Sequence, residues 1–162
     1  MQNPELDLRV NRAQAYQRIY SDLRHALQGE QDAVAAMATI SCHVKQELGF
    51  FWVGFYRLIG SELVVGPYQG TLGCLRIPMG KGVCGTAAAR RSTIVVPDVH
   101  AFPGHIACDD RSLSEIVVPF FDASGVLRGV LDVDDDKPAR FDEVDAAGLE
   151  KIVALLREAN FE

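Results

Sequence analysis

The sequence predicts an α+β fold, a mostly antiparallel central sheet with helices packed against it. Three observations carry this expectation. Both ends of the chain place apolar residues at helical spacing, whereas the middle switches to short aromatic and β-branched runs of strand type. A single short helix-forming stretch lies among those strands, too few crossovers for a wholly parallel sheet. The length, 162 residues with 48% hydrophobic, fits one domain with a sizeable core, spanning residues 1–162 with its centre at about 12–159.

In order along the chain, residues 12–28 carry Tyr16, Ile19, Tyr20, Leu23 and Leu27 at spacings of three and four, an amphipathic helix. Residues 31–48 repeat the pattern with Val34, Met37, Ala38, Ser41, Val44 and Leu48 facing inward; Gly29 separates the two helices and Gly49 ends the second. Met37 and Cys42 read as packing residues. "FFWVGFYRL", "ELVVGPY" and "TLGCLRI" are strands in succession. Gly80, Gly82 and Gly85 punctuate the next segment, "GTAAARR" forms a short helix, and "STIVV" is a strand closed by Pro97. Residues 97–113 form the one long connector, the kind of segment that carries function in compact domains. "SEIVVPFF" and "VLRGVLDVD" pair as a hairpin around "DASG". Asp142 caps a last helix running to about Ala159, with Val144, Leu149, Ile152, Val153 and Leu156 inward.

Charge and topogenic signals narrow the function classes. Acidic residues outnumber Lys plus Arg by 22 to 16, a net charge of -6, which disfavours a nucleic-acid partner. No apolar run approaches the roughly 18–20 residues of a membrane span. The start, "MQNPELDLRV", lacks the basic and apolar regions of a secretory leader, so a cytoplasmic location is expected. In that compartment the four cysteines, Cys42, Cys74, Cys84 and Cys108, point to thiol chemistry or metal binding rather than structural disulfides.

"MGKGVCG" is no nucleotide signature. It lacks the phosphate-loop order, and its glycines do not follow a first strand as a dinucleotide-binding turn requires. They suit a tight loop that brings its backbone close to a ligand, and Cys84 lies near the following helix start, where a thiolate is favoured. Cys74, Cys84 and Cys108 contain no CxxC pair. Zinc would have to recruit them with His100 or His105, and only His105 and Cys108 have the close spacing of structural zinc ligands. A thiol mechanism needs less coincidence: one cysteine attacks, and a second, from anywhere in the chain, resolves it as a disulfide. Cys108, on the long connector near His105, suits the attacker, although Asp109 and Asp110 oppose its thiolate if close. Ordinary packing of all three cysteines is the third reading.

Carboxylates favour chemistry. Glu115 opens the strand after Cys108, and period two puts Asp132 and Asp134 on one strand face. A solvated edge would account for them, yet the flanking run is apolar enough for a central strand, where unpartnered acids are costly. A ligand ammonium would satisfy them, with Trp52 and Tyr56 walling the same pocket. Among the other polar residues, His100 and His105 read as loop-shaping or tuning Cys108, His25 and His43 as surface or packing, and Arg76 and Lys81 as solvated or loop-holding. Asp135 and Asp136 read as surface residues at the strand end.

The segments "FWVGFY", "GPYQG", "CLRIPMGKGVCGTA", "DVHAFPGHIACD", "SEIVVP" and "GVLDVD" resemble the free methionine-(R)-sulfoxide reductase family, small enzymes built on a GAF domain. The resemblance runs from about residue 12 to the last helix. It implies a GAF-like fold and free L-methionine-(R)-S-oxide as substrate. It implies Cys108 as the attacking cysteine, Cys74 as its disulfide partner, and Cys84 as a third cysteine capable of exchange. Glu115, Asp132 and Asp134 match the acids of the ligand pocket, Glu115 being also a candidate proton donor, and Trp52 and Tyr56 match its aromatic side. Thioredoxin is the implied reductant and a homodimer the implied assembly, with no cofactor or metal required. The local departure is "CDDRSLSE", where Asp110, Arg111 and Leu113 replace smaller or polar residues. A non-catalytic GAF module sensing a small molecule or redox state is the alternative.

Overall fold

The computed structural model describes residues 4–161; the outermost residues of the 1–162 span and of the leader reading lie outside them. Strands Trp52–Ile59 (β1), Glu62–Gln69 (β2), Arg76–Pro78 (β3), Ile94–Val96 (β4), Ser114–Phe121 (β5) and Leu127–Asp135 (β6) form one six-stranded sheet in the order β3-β2-β1-β6-β5-β4. Every pairing is antiparallel, as the scarcity of crossovers predicts. Helices Pro4–Ala26 (α1), Ala33–Leu48 (α2), Gly82–Arg90 (α3) and Glu143–Val153 (α4) complete the fold. Among the described residues, no helix is long and apolar enough to cross a membrane.

Period two divides the central strands between two cores. Val53 and Phe55, Ile116, Val118 and Phe120, and Leu131 and Val133 pack with Ile19, Leu23, Met37, Ile40, Val44, Leu149 and Ile152 of α1, α2 and α4. Trp52 and Tyr56, Val117 and Val130 point the other way and pack with Val83, Cys84, Ala87 and Ala88 of α3. That second face carries the polar residues too, because Gly54 pairs with Asp132, and Asp134 with both Trp52 and Glu115.

Four expectations about elements are corrected. First, α1 begins at Pro4, not residue 12. Proline fits a first helical turn, and the added turns need no apolar stripe: Leu8 and Val10 are exposed. Ion pairs tie them to the start of α4 instead, Arg9 to Glu143 at 2.7 Å, and Arg12 to Asp142 and Asp145 at 2.6 and 2.7 Å. Second, α2 buries Ala33, Ala36, Met37, Ile40, Ser41 and Val44, leaving Val34 and Ala38 exposed. Apolar residues on every face of "AVAAMATIS" hide the phase of the stripe from periodicity. Its ends are fixed locally, by Asp32 accepting from the Ala35 N–H at 2.8 Å and by Gly49 in the left-handed region at φ 66°. Third, only the last two residues of "TLGCLRI", Arg76 and Ile77, belong to a strand (β3), so Cys74 sits on a loop. Fourth, α3 starts three residues early, at Gly82, and α4 stops at Val153 before a 3-10 turn over Ala154–Leu156. Asp142 does cap α4, within a reciprocal box with Asp145, and Val144 is half-buried against the core.

Gly54 makes room for the site. A Cβ there would overlap both Tyr68 Cβ and the Trp52 ring, which stack at 5.1 Å between centroids. Gly54→Ala is therefore expected to cost about 1–3 kcal/mol through overpacking. A lower urea midpoint at unchanged m-value checks this.

Candidate active site

The connector 97–113 crosses the α3 face of the sheet. Asp98 caps a 3-10 turn at Val99–Ala101, and the Val99 N–H donates to Leu113 O at 3.0 Å. The Leu113 N–H donates to Asp135 O at 2.8 Å, so this departing residue stitches the connector to β6. The exposed Cys108 is carried to Cys74 of loop 70–75, and the two form a disulfide with Cα atoms 5.3 Å apart. Loop 70–75 is anchored from below by the Trp52 Nε1–H, which donates to Thr71 O at 2.8 Å.

Under the disulfide lies a pocket lined by Trp52, Tyr56, Cys84, His105, Cys108, Asp109, Glu115, Asp132 and Asp134. Its residues come from β1, loop 70–75, β3, α3, the connector, β5 and β6. The aromatic side is continuous: Trp52 stacks with Tyr56 at 6.1 Å and with Tyr68 on its other flank. On the polar side Glu115 and Asp132 are buried, while Asp134 is half-buried and lines the pocket with Ser112. Burial pushes the carboxyl of Glu115 well above the usual range, and the charge of Asp134 adds to this. Burial and then Glu115 do the same to Asp132, and burial and then Asp132 to Asp134. Each shift favours the neutral acid over the carboxylate, the direction that suits a proton donor.

Asp132 Oδ1 is buried with no hydrogen-bond partner. A buried oxygen in this state is a ready acceptor for a ligand N–H or O–H. The thiol of Cys84 donates to Glu115 Oε1 at 3.8 Å, and the ligand atoms of Cys84, Glu115 and Asp132 lie within 4.8 Å of one another. This corrects the expectation of a favoured thiolate at Cys84: burial, then the neighbouring acids, push its pKa well above the ordinary value, overriding the helix start. His105 Nε2 sits 3.5 Å from Glu115 Oε2, and burial lowers its pKa, so the contact joins two groups that favour their neutral forms.

Of the residues singled out in the sequence, Trp52, Tyr56, Cys74, Cys84, Cys108, Glu115, Asp132 and Asp134 come together around this pocket, and His105 joins them. His100 does not; it is exposed outside the lining. The zinc set weighed above is not assembled, because Cys74 and Cys108 bond each other while Cys84 faces the acids. Asp135, expected at the surface, is buried, its carboxylate accepting from the Lys137 N–H at 3.1 Å. Thr71, Tyr68 and Ser112 were missed. Tyr68 had a signal, since "GPYQG" flanks the aromatic strand; the other two show none outside the fold.

A family model, the GAF domain, matches residues 11–159. The free methionine-R-sulfoxide reductase of Escherichia coli is 41% identical over 150 residues, 92% of this chain and 90% of that protein. The chain belongs to the free methionine-R-sulfoxide reductase family of GAF-domain proteins. The Neisseria meningitidis member, solved in complex with its substrate, superposes with a TM-score of 0.87 at 44% identity, covering 90% of this chain and 88% of that one. The fRMsr of Staphylococcus aureus, also solved with substrate, gives 0.83 at 43% identity over 88% and 94%. With this membership and its Cys74–Cys108 disulfide, the chain is a thiol-based redox enzyme.

Proposed function

We propose that the enzyme reduces free L-methionine-(R)-S-oxide to L-methionine at this pocket, with Cys108 as nucleophile and Cys74 as resolving thiol. The observation that carries the reading is the disulfide across a pocket whose floor holds buried carboxyls and an unpaired Asp132 oxygen. Free amino acids present an ammonium. Asp132 Oδ1 and Asp134 would receive it, Trp52 and Tyr56 would flank the thioether carbons, and the amides opening α3 would face the carboxylate.

The Cys108 thiolate attacks the sulfoxide sulfur while Glu115 donates a proton to the departing oxygen. The substrate S–O bond breaks and the protonated oxygen passes to the Cys108 sulfur, forming its S–O bond; the substrate sulfur keeps the electron pair, so two electrons pass from Cys108 to the substrate, methionine leaves, and Cys108 is left as sulfenic acid. The Cys74 thiol displaces that hydroxyl as water, giving the disulfide seen in the structure. Thioredoxin is the reductant in this reading. Support comes from Cys108, exposed to an external dithiol, and from Leu72 and Leu75, exposed beside the disulfide. A homodimer is the assembly proposed.

The test is methionine release from separate R and S sulfoxides with thioredoxin, its reductase and NADPH. Turnover of free R alone is expected. No release from either isomer by folded, reduced protein would reject the reading and favour a GAF sensor.

A further inference from the structure

Cys74 and Cys108 reach each other from opposite sides of the sheet. Loop 70–75 joins β2 to β3 at one edge, whereas the connector leaves β4 at the other. When the disulfide is reduced, something else has to keep the two sulfurs within reach. Next to Cys108, Asp109 Oδ2 accepts a hydrogen bond from Thr71 Oγ1 of the Cys74 loop at 2.7 Å. Each partner is anchored independently of the sulfurs. Thr71 is held through its carbonyl by Trp52. Asp109 is held by Arg111, whose Nε and Nη2 donate to its two oxygens at 3.0 and 2.7 Å and whose backbone N–H adds a bond at 2.9 Å. The Arg111 guanidinium in turn lies 5.2 Å over the Phe51 ring, one residue before β1.

We infer that Thr71, Asp109 and Arg111 form a clasp that holds the Cys74 loop against the Cys108 loop and sets the rate of disulfide formation once Cys108 is oxidised. These are positioning residues: none is the nucleophile or the resolving thiol. The step they promote is balanced. The Cys108 S–O bond breaks, the S–S bond forms, and the Cys74 proton leaves with the hydroxyl as water. Its rate scales with the effective concentration of Cys74 at Cys108, which a tether between the loops raises. Exposed salt bridges are usually weak, but this one is two-pronged, reinforced by a backbone N–H and continued to Thr71, so it acts as a network. Asp109 Oδ2 accepts from both Arg111 Nη2 and Thr71 Oγ1, so the Arg111 fork fixes the oxygen that Thr71 reaches.

The inference rests on the proposed roles of Cys108 and Cys74, but its test does not need the sulfoxide. Reduced Thr71→Val and Arg111→Ser proteins, with Arg111→Lys as the conservative variant, are oxidised with stoichiometric hydrogen peroxide. The Cys108 sulfenic acid is trapped over time with a cyclic 1,3-diketone, and disulfide is quantified by mass. Thr71→Val keeps the carbonyl that Trp52 uses and loses one charge-assisted bond, so the sulfenic acid is expected to persist about tenfold longer. Arg111→Ser should match or exceed that, and Arg111→Lys should recover part of it. With methionine sulfoxide in single turnover, methionine release should be unchanged in Thr71→Val while disulfide formation lags. A merely structural defect would slow both. Disulfide formation as fast as in the parent, in folded variants, overturns the clasp. Loss of methionine release by the parent itself would instead overturn the proposed function.

Discussion

Cys108→Ser is expected to lose methionine release by roughly 10⁴-fold or more while still binding the sulfoxide. The hydroxyl cannot supply the soft nucleophile, but most of the pocket proposed to hold the substrate is lined by residues other than Cys108, among them Trp52, Tyr56, Glu115, Asp132 and Asp134. Cys74→Ser separates the half-reactions. It should release about one methionine per chain and then stall, because the sulfenic acid has no resolving thiol. Cys84 is a poor substitute. It is buried, its thiol is pushed toward the neutral form by burial and by Asp132, and it donates to Glu115. A rapid-quench burst followed by steady-state assay distinguishes the variants. A full cycle by Cys74→Ser would reassign the resolving role, and turnover by Cys108→Ser would overturn the mechanism.

What could be read in advance follows from the range of the forces involved. Period two along "VLDVDDD" was enough to put Asp132 and Asp134 on one face, and the apolar flanks were enough to make β6 central. The β5–β6 hairpin followed from its turn, where Asp122 accepts from the N–H groups of Ser124 and Val126. The cysteine pairing was of another kind. Spacing left redox, metal and packing readings open, and only the family resemblance singled out Cys74 with Cys108. Tertiary forces hid the rest. The early turns of α1 exist because Arg9 and Arg12 meet acids more than a hundred residues away. "TLGCLRI" has strand composition, yet its first part is diverted over the pocket, where Trp52 and Asp109 hold Thr71. A helix start favours a thiolate locally, but at Cys84 burial against two carboxyls is the larger effect.

Glu115→Gln should move activity and stability in opposite directions. In the proposed role of proton donor to the departing sulfoxide oxygen, Glu115 would be worth about 10²–10⁴-fold in rate, and glutamine could not replace it. In the parent, kcat should fall as pH rises through the raised pKa of the carboxyl cluster, and the variant should lose that dependence. Stability runs the other way. A carboxyl whose folded pKa lies above its unfolded value binds more protons in the native state. Its favourable contribution is complete below the unfolded pKa and is lost as pH rises toward the folded one. Glu115 and Asp132 are both of this kind, for burial first and then for neighbouring acids. As pH rises, their burial therefore costs stability. Neutral glutamine removes part of that cost, so urea midpoints measured from the acid side through neutrality should fall less steeply than in the parent. Asp132→Asn should share the flatter profile but act mainly on KM, because its unpaired Oδ1 is the proposed ammonium acceptor. If Glu115→Gln kept full turnover, the proton would have to come from another member of the cluster. A variant less stable across the whole range would mean that packing at this site, rather than desolvated carboxyls, dominates its energetics.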